Sequence, residues 1–170
     1  LTQEDLRQQI GYVTQRALLF SGTVNSNLKV GKPAASEEEM RQALETAQAA
    51  NFVFASPEGL ETEIAQAGAN LSGGQKQRLS IARTLVRAPQ LLLLDDCTAA
   101  MDAGTESRFW QSFKQKYPDT ACIVVTHREQ TVKYADKVLH LENNRTPTDE
   151  AQCAVDSLLG TIGLNVRDKQ

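Results

Sequence analysis

The stretch from Asn70 to Asp102, NLSGGQKQRLSIARTLVRAPQLLLLDDCTAAMD, constrains this chain more than any other. Ser72-Gly73-Gly74-Gln75 is a small polar loop. Leu79, Ala82, Leu85 and Val86 follow it near helical spacing, until Pro89, which has no amide donor and clashes with the preceding turn, stops the helix. The loop therefore sits at a helix N-terminus. There the first backbone N–H groups have no internal partners and the dipole presents its positive end, so an anion such as phosphate is favoured. Two glycines allow a ligand close approach. Leu91 to Leu94 is an apolar run too short for a helix, expected to be a strand covered on both faces in a parallel sheet. It ends in Asp95 and Asp96. Carboxylates at the C-terminal edge of such a strand stand where open α/β sheets take ligands, and hard oxygens there suit Mg²⁺ accompanying phosphates. Singly, SGG is an ordinary helix cap and LLLLDD an ordinary core strand; their order and spacing carry the chemical meaning.

The bulk numbers narrow the classes. A chain of 170 residues, 41% apolar and 23% charged, has room for one domain with a real core and is globular rather than disordered. A net charge of −3 without a Lys/Arg cluster leaves no electrostatic footprint for nucleic acid or an acidic membrane surface. Cys97, Cys122 and Cys153 are widely spaced and only His127 and His140 supply imidazoles, so neither a disulfide framework nor a zinc site is indicated and a reducing compartment fits. No window approaches the roughly 18 apolar residues of a membrane span, and LTQEDLRQQ is no signal peptide.

LSGGQ, LLLLDD and AAMD, in this order, resemble the nucleotide-binding domain of ABC transporters: the signature motif, the Walker B strand and the D-loop. The resemblance covers about residues 6 to 142. It implies an α/β fold of the P-loop NTPase (RecA-like) kind, a mostly parallel sheet with an inserted α-helical subdomain at about residues 20–70, within a partial domain at 1–145 and a tail at 146–170. IGYVTQRALLFSGTV resembles the exporter Q-loop segment, and VVTHR the H-loop. The family's phosphate cradle, GxxxxGK[ST], is matched nowhere: Gly31-Lys32 is followed by Pro33, and Ser26 stands where the first Gly is required. The chain is thus similar to the later two thirds of such a domain, N-terminally truncated, and is expected to be poorly stable and to bind ATP weakly alone.

Away from the motifs, the residues speak for themselves. Gln9 to Thr14 reads as a strand with Ile10 and Tyr12 as its apolar positions. Ser36 and Glu39 form an S-x-x-E capping box, and Met40, Ala43, Leu44 and Ala47 recur at helical spacing, so a helix is expected there, with Glu37, Glu38 and Glu39 favoured by its dipole. Phe52, Val53 and Phe54 predict a second short helix closed by Pro57-Glu58-Gly59. Asp102 caps a further helix whose Phe109, Trp110, Phe113 and Tyr117 form an aromatic core face, and ACIVVT (121–126) is another buried strand with His127 at its end. Lys137 to Leu141 reads as a last strand, and Ala151, Ala154, Val155, Leu158 and Leu159 as an amphipathic tail helix. PEGLETEIAQAG resembles the exporter X-loop, but Gln66 replaces its acidic residue.

The resemblance assigns roles residue by residue. ATP and Mg²⁺ are the expected ligands: Asp95 holds the metal with Gln15, Asp96 and His127 join Gln15 as catalytic residues, and Ser72, Gly73, Gly74 and Gln75 act in trans on a partner's γ-phosphate, with Asp102 at the dimer seam. The partners implied are transmembrane domains and a second nucleotide-binding domain, at the cytoplasmic face of the cell membrane, and no nucleic acid. One carboxylate departs from the pattern. The residue after the Walker B Asp is normally Glu; Asp96 is one methylene shorter, which withdraws the carboxylate by more than about 1 Å from a proton that a base must reach within about 3 Å. Slow hydrolysis at this site is the consequence, as in the degenerate site of heterodimeric exporters. The competing readings are a non-hydrolytic nucleotide-binding module and a soluble ABC ATPase acting on DNA or ribosomes. The short Gln15–Leu71 interval, without space for a long coiled coil, counts against the latter.

Overall fold

The computed structural model describes residues 2–140 and comprises two compact units, residues 1–127 and 128–170. The expected 145/146 boundary and the amphipathic tail lie outside the described residues.

The first unit opens with a short helix, α1 (Gln3–Gln9), capped by Thr2, whose hydroxyl accepts from the Asp5 amide. The polar run QEDLRQQ is thus helical. The chain then extends into β1 (Ile10–Val13). Here the alternation runs opposite to expectation: Gly11 and Val13 are buried, whereas Tyr12 is 55% exposed. Gly11 is the inward residue because its backbone packs on Thr84 and Pro89; a Cβ there would lie 2.5 Å from the Thr84 methyl.

Between β1 and the central strand comes a run of helices: α2 (Val24–Gly31), α3 (Glu37–Thr46), α4 (Ala50–Phe54) and α5 (Gly73–Leu85). Each start has a local cause. Thr23, Ser36 and Ser72 cap α2, α3 and α5 through reciprocal capping boxes, and α3 carries Glu37, Glu38 and Glu39 in its first turn, as expected. A two-residue antiparallel ribbon, β2 (Gly22–Thr23) with β3 (Glu63–Ile64), brackets α2 to α4. Met40, Ala43, Leu44 and Ala47 are all buried, and Val53 with them, and Gly59 adopts a positive φ of 53° in the turn after α4. Leu79, Ala82, Leu85 and Val86 line the buried face of α5.

The central strand β4 (Leu91–Asp95) pairs in parallel with β1 on one side and with β5 (Ala121–Val125) on the other, giving the order β1-β4-β5. Leu91, Leu92 and Leu94 are buried. From β4 the chain crosses to β5 through α6 (Ala103–Lys116), where Asp102 is the N-cap and Phe109, Trp110 and Phe113 are buried with Tyr117 just beyond. Phe109 and Trp110 meet edge to face at 4.8 Å between ring centroids, a core contact as expected.

In the second unit, the described residues hold one short helix, α7 (Glu129–Val132). Residues 137–140 form no strand, contrary to the pattern reading, and Val138 and Leu139 are exposed. A short apolar alternation becomes a strand only where an edge receives it.

Candidate functional site

Three strand ends supply the candidate residues. β1 stops at Val13, just before Thr14 and Gln15; β4 delivers Asp95 as its last residue with Asp96 beyond; β5 stops at Val125, just before Thr126 and His127. The parallel register pairs Val13 with Leu94 and Asp95 with Val125. Gln15, Asp95, Asp96 and His127 therefore all lie along the C-terminal edge of one parallel sheet, the edge at which such sheets take ligands.

Within this edge side chains make contact across strands. Gln15 donates from Nε2 to Asp96 Oδ2 at 3.3 Å. The Tyr12 hydroxyl donates to Asp95 Oδ2 at 3.1 Å, and this bond, with the charge of Asp95, pushes the phenol above its ordinary value of 10.0. Asp96 itself is held from two sides: its amide donates to the Val125 carbonyl at 2.8 Å, and Gln15 holds its carboxylate. Its backbone lies in the left-handed region, φ 47°, which Asp tolerates better than most residues. Residues kept in such conformations cluster at sites of chemistry.

The signature tetrapeptide is arranged differently. Ser72 Oγ accepts from the Gln75 amide at 3.2 Å, and Gln75 Oε1 accepts from the Ser72 amide at 2.8 Å. Their side chains thus close on each other as a helix cap rather than on the edge carboxylates. The two glycines also part company. Nothing lies within 4 Å of where a Cβ on Gly73 would stand, whereas one on Gly74 would be 3.0 Å from the Ala100 carbonyl oxygen. Gly73 leaves open approach to the helix N-terminus; Gly74 allows the AAMD segment to pack against it.

Asp102 caps α6, accepting from the Thr105 amide at 2.9 Å and from its hydroxyl at 2.6 Å, bonds that hold its carboxyl below the usual value of 3.8. Cys97 is buried, and the loss of water around it and around Cys122 pushes both thiols up to about 12, so neither is a ready nucleophile.

Two positions escaped the sequence reading. Gln77, 4% exposed, donates from Nε2 to the Thr14 carbonyl at 3.1 Å. Its signal was a polar residue on the same buried helix face as Ser80, Ile81 and Thr84. Asn27, 2% exposed, donates to the Phe20 and Thr23 carbonyls at 2.8 and 3.0 Å and accepts from the Phe20 amide at 2.9 Å, so it fixes the shape of the LFSGT loop. A buried amide satisfied three times over by backbone has no pattern to betray it.

No group of three or more His, Cys, Asp or Glu among the described residues could hold a metal ion unaided. The donor set still suits Mg²⁺, which keeps several waters and asks for one or two carboxylates with the rest supplied by phosphate.

The sequence matches the family model described as ABC transporter over residues 1–99. The chain belongs to the ABC transporter family. Curated relatives include YgaD of Bacillus subtilis, named as a multidrug export ATP-binding/permease protein, and a protein of the same description from Staphylococcus aureus; each is 43% identical over 138 residues, 81% of this chain and 24% of the relative. This ABC transporter chain therefore spans about a quarter of the length of the curated relatives it matches. A solved structure described as a bacterial Atm1-family ABC exporter with ATP bound is similar at a TM-score of 0.74 and 37% identity, covering 78% of this chain and 23% of that one. The fold is that of an ABC exporter's nucleotide-binding domain, a P-loop NTPase with its parallel sheet, as expected. ABC transporter domains bind ATP with Mg²⁺. Among the described residues, no helix is long and apolar enough to cross a membrane.

Proposed function

We propose that this chain is the later portion of an ATP-hydrolysing domain that powers export through transmembrane segments, working at the cytoplasmic face of the membrane. The observation that carries the reading is the hydrogen bond from Gln15 to Asp96, beside Asp95 at the C-terminal edge of the parallel sheet. A base and an amide so joined can orient one water for attack on a phosphate. His127, at the end of β5, would contact the γ-phosphate. Asp95 and Gln15 would hold Mg²⁺, which when bound neutralises charge on the phosphates. Residues 20–70 form the helical subdomain of this reading, and the phosphate cradle, absent from these 170 residues, comes from polypeptide outside them.

The cap supports the trans arrangement. Ser72 and Gln75 bond each other, leaving Gly73 open at the N-terminus of α5 for a phosphate held by a second nucleotide-binding domain. Asp102 would lie at the seam. Asp96 makes this site slow and favours a heterodimer whose other site turns over; a homodimer with brisk turnover would sink that part.

The test is steady-state ATP hydrolysis by the complete protein carrying this segment. Asp96→Glu is expected to raise kcat, and Asp96→Asn to lower turnover at this site by about a hundredfold or more, the scale of a general base. If neither substitution changes turnover, the domain clamps nucleotide without hydrolysing it, which is the reading that the short carboxylate otherwise favours.

A further inference from the structure

Gln77 holds one side of the Gln15–Asp96 pair. Its Nε2 donates to the carbonyl of Thr14, the residue before Gln15, at 3.1 Å. It is 4% exposed, so this bond forms away from water, where losing it leaves a buried polar group unsatisfied. It also stands one turn into α5, the helix whose N-terminus is LSGGQ.

We infer that Gln77 is a positioning residue that holds Gln15 within reach of Asp96 by gripping the backbone carbonyl beside Gln15. The geometry has few other sources of that spacing. Gln15 is exposed, in a loop after β1, and its own bond to Asp96 is long at 3.3 Å. Asp96 has its amide tied to β5, so the pair is fixed on the carboxylate side by the sheet and on the amide side through Gln77. Because Gln77 is part of the signature helix, a displacement of that helix at one site is transmitted to the water-orienting pair of the other site in the same domain. The inference rests on the hydrolytic reading above.

The decisive substitution is Gln77→Met in the complete protein, which keeps the volume and removes the hydrogen bond. Three readouts are expected together. Amide hydrogen exchange speeds up in the segment around Gln15 while the melting temperature of the protein stays within a few degrees. Turnover falls about tenfold, the scale of one buried hydrogen bond, with KM for ATP little changed. In a double-mutant cycle with Gln15→Ala, the second substitution adds little to the first. Additive losses, or unchanged exchange around Gln15, overturn the inference. Should Gln77→Met fail to fold, Gln77→Asn keeps the amide but withdraws its donor by one methylene and is expected to give the same exchange pattern in smaller measure; no local change there overturns it as well. If Gln15→Ala leaves turnover untouched, the hydrolytic reading fails first and this inference with it. If Gln15→Ala slows turnover and Gln77→Met does not, only this inference falls.

Discussion

The helical layer around α5 and the strand β5 draw on similar apolar residues and reach opposite ends of burial. Ala43, Leu44 and Ala47 of the α3 region and Ile81, Ala82 and Leu85 of α5 are each 0% exposed. By contrast, Ala121, Cys122, Ile123 and Val124 of β5 are only half-buried, and Val125 is 53% exposed. The difference is cover, not composition. The α3 residues have α5 and α6 packed against them, whereas among the described residues β5 has a partner strand on one side alone. Parallel sheets are stable when both faces are covered, so the helical layer is self-sufficient within these residues and the β5 edge is not. Since His127 follows β5 and the Asp96 amide hangs from its Val125 carbonyl, the proposed chemistry sits on the less complete of the two regions.

The widest expected contrast is between two core truncations. Leu44→Ala should cost about 2–5 kcal/mol, because it removes a fully buried side chain and leaves a cavity that the close-packed helices cannot fill. Ile123→Ala should cost less, roughly 1–2 kcal/mol, since water already reaches part of the residue. Urea denaturation midpoints decide it, and equal losses would break the comparison. If a further strand pairs with the free side of β5 in the complete protein, the Ile123 cost should rise toward that of Leu44 there.

How much of this was legible in the residues follows the same division. Local chemistry announced itself: the Ser36 and Ser72 caps, the stop at Pro89, the α3 stripe and the Asp102 cap all depend on neighbours within a turn or two, and all stand where their patterns place them. What failed depended on distant packing. Tyr12 was read as apolar and inward, but the inward place on β1 goes to Gly11 because Thr84 and Pro89 press against it, and Tyr12 turns out to meet Asp95. Residues 137–140 have strand-like alternation and no strand, because alternation specifies a face and not a partner. In the site, Gln15, Asp95, Asp96 and His127 were placed together by strand order and resemblance. Gln77 showed only as a polar residue on a buried helix face; its partner, the Thr14 carbonyl, lies 63 positions away and no local pattern names it.

A smaller contrast lies inside LSGGQ. Gly74→Ala drives a Cβ to 3.0 Å from the Ala100 carbonyl oxygen and should cost about 1–3 kcal/mol as overpacking, partly offset by about 1 kcal/mol of better helix propensity. Gly73→Ala meets open space and should be neutral or slightly stabilising. Thermal melting of the two variants separates them. Equal shifts would mean that the AAMD segment does not rest on Gly74, and the assignment of one glycine to approach and the other to packing would fall.

The smallest effect concerns Asp102, where the helix cap and the pH dependence can be pulled apart. Its carboxyl is held below the usual 3.8, first by the Thr105 hydroxyl and then by the Thr105 amide. A depressed carboxyl adds stability that is present above its unfolded value and is lost as pH falls through the folded one. Asp102→Asn keeps a good N-cap acceptor but cannot titrate. The wild-type advantage over this variant should thus be constant above about pH 5, shrink as the pH passes below 3.8 and vanish in stronger acid. Because Asp102 is exposed, the advantage is small and needs paired urea titrations at several pH values rather than one melting curve. A gap that persists undiminished into strong acid would show that Asp102 holds α6 by shape alone, and that the charge at this end of the helix is free for a partner across the seam.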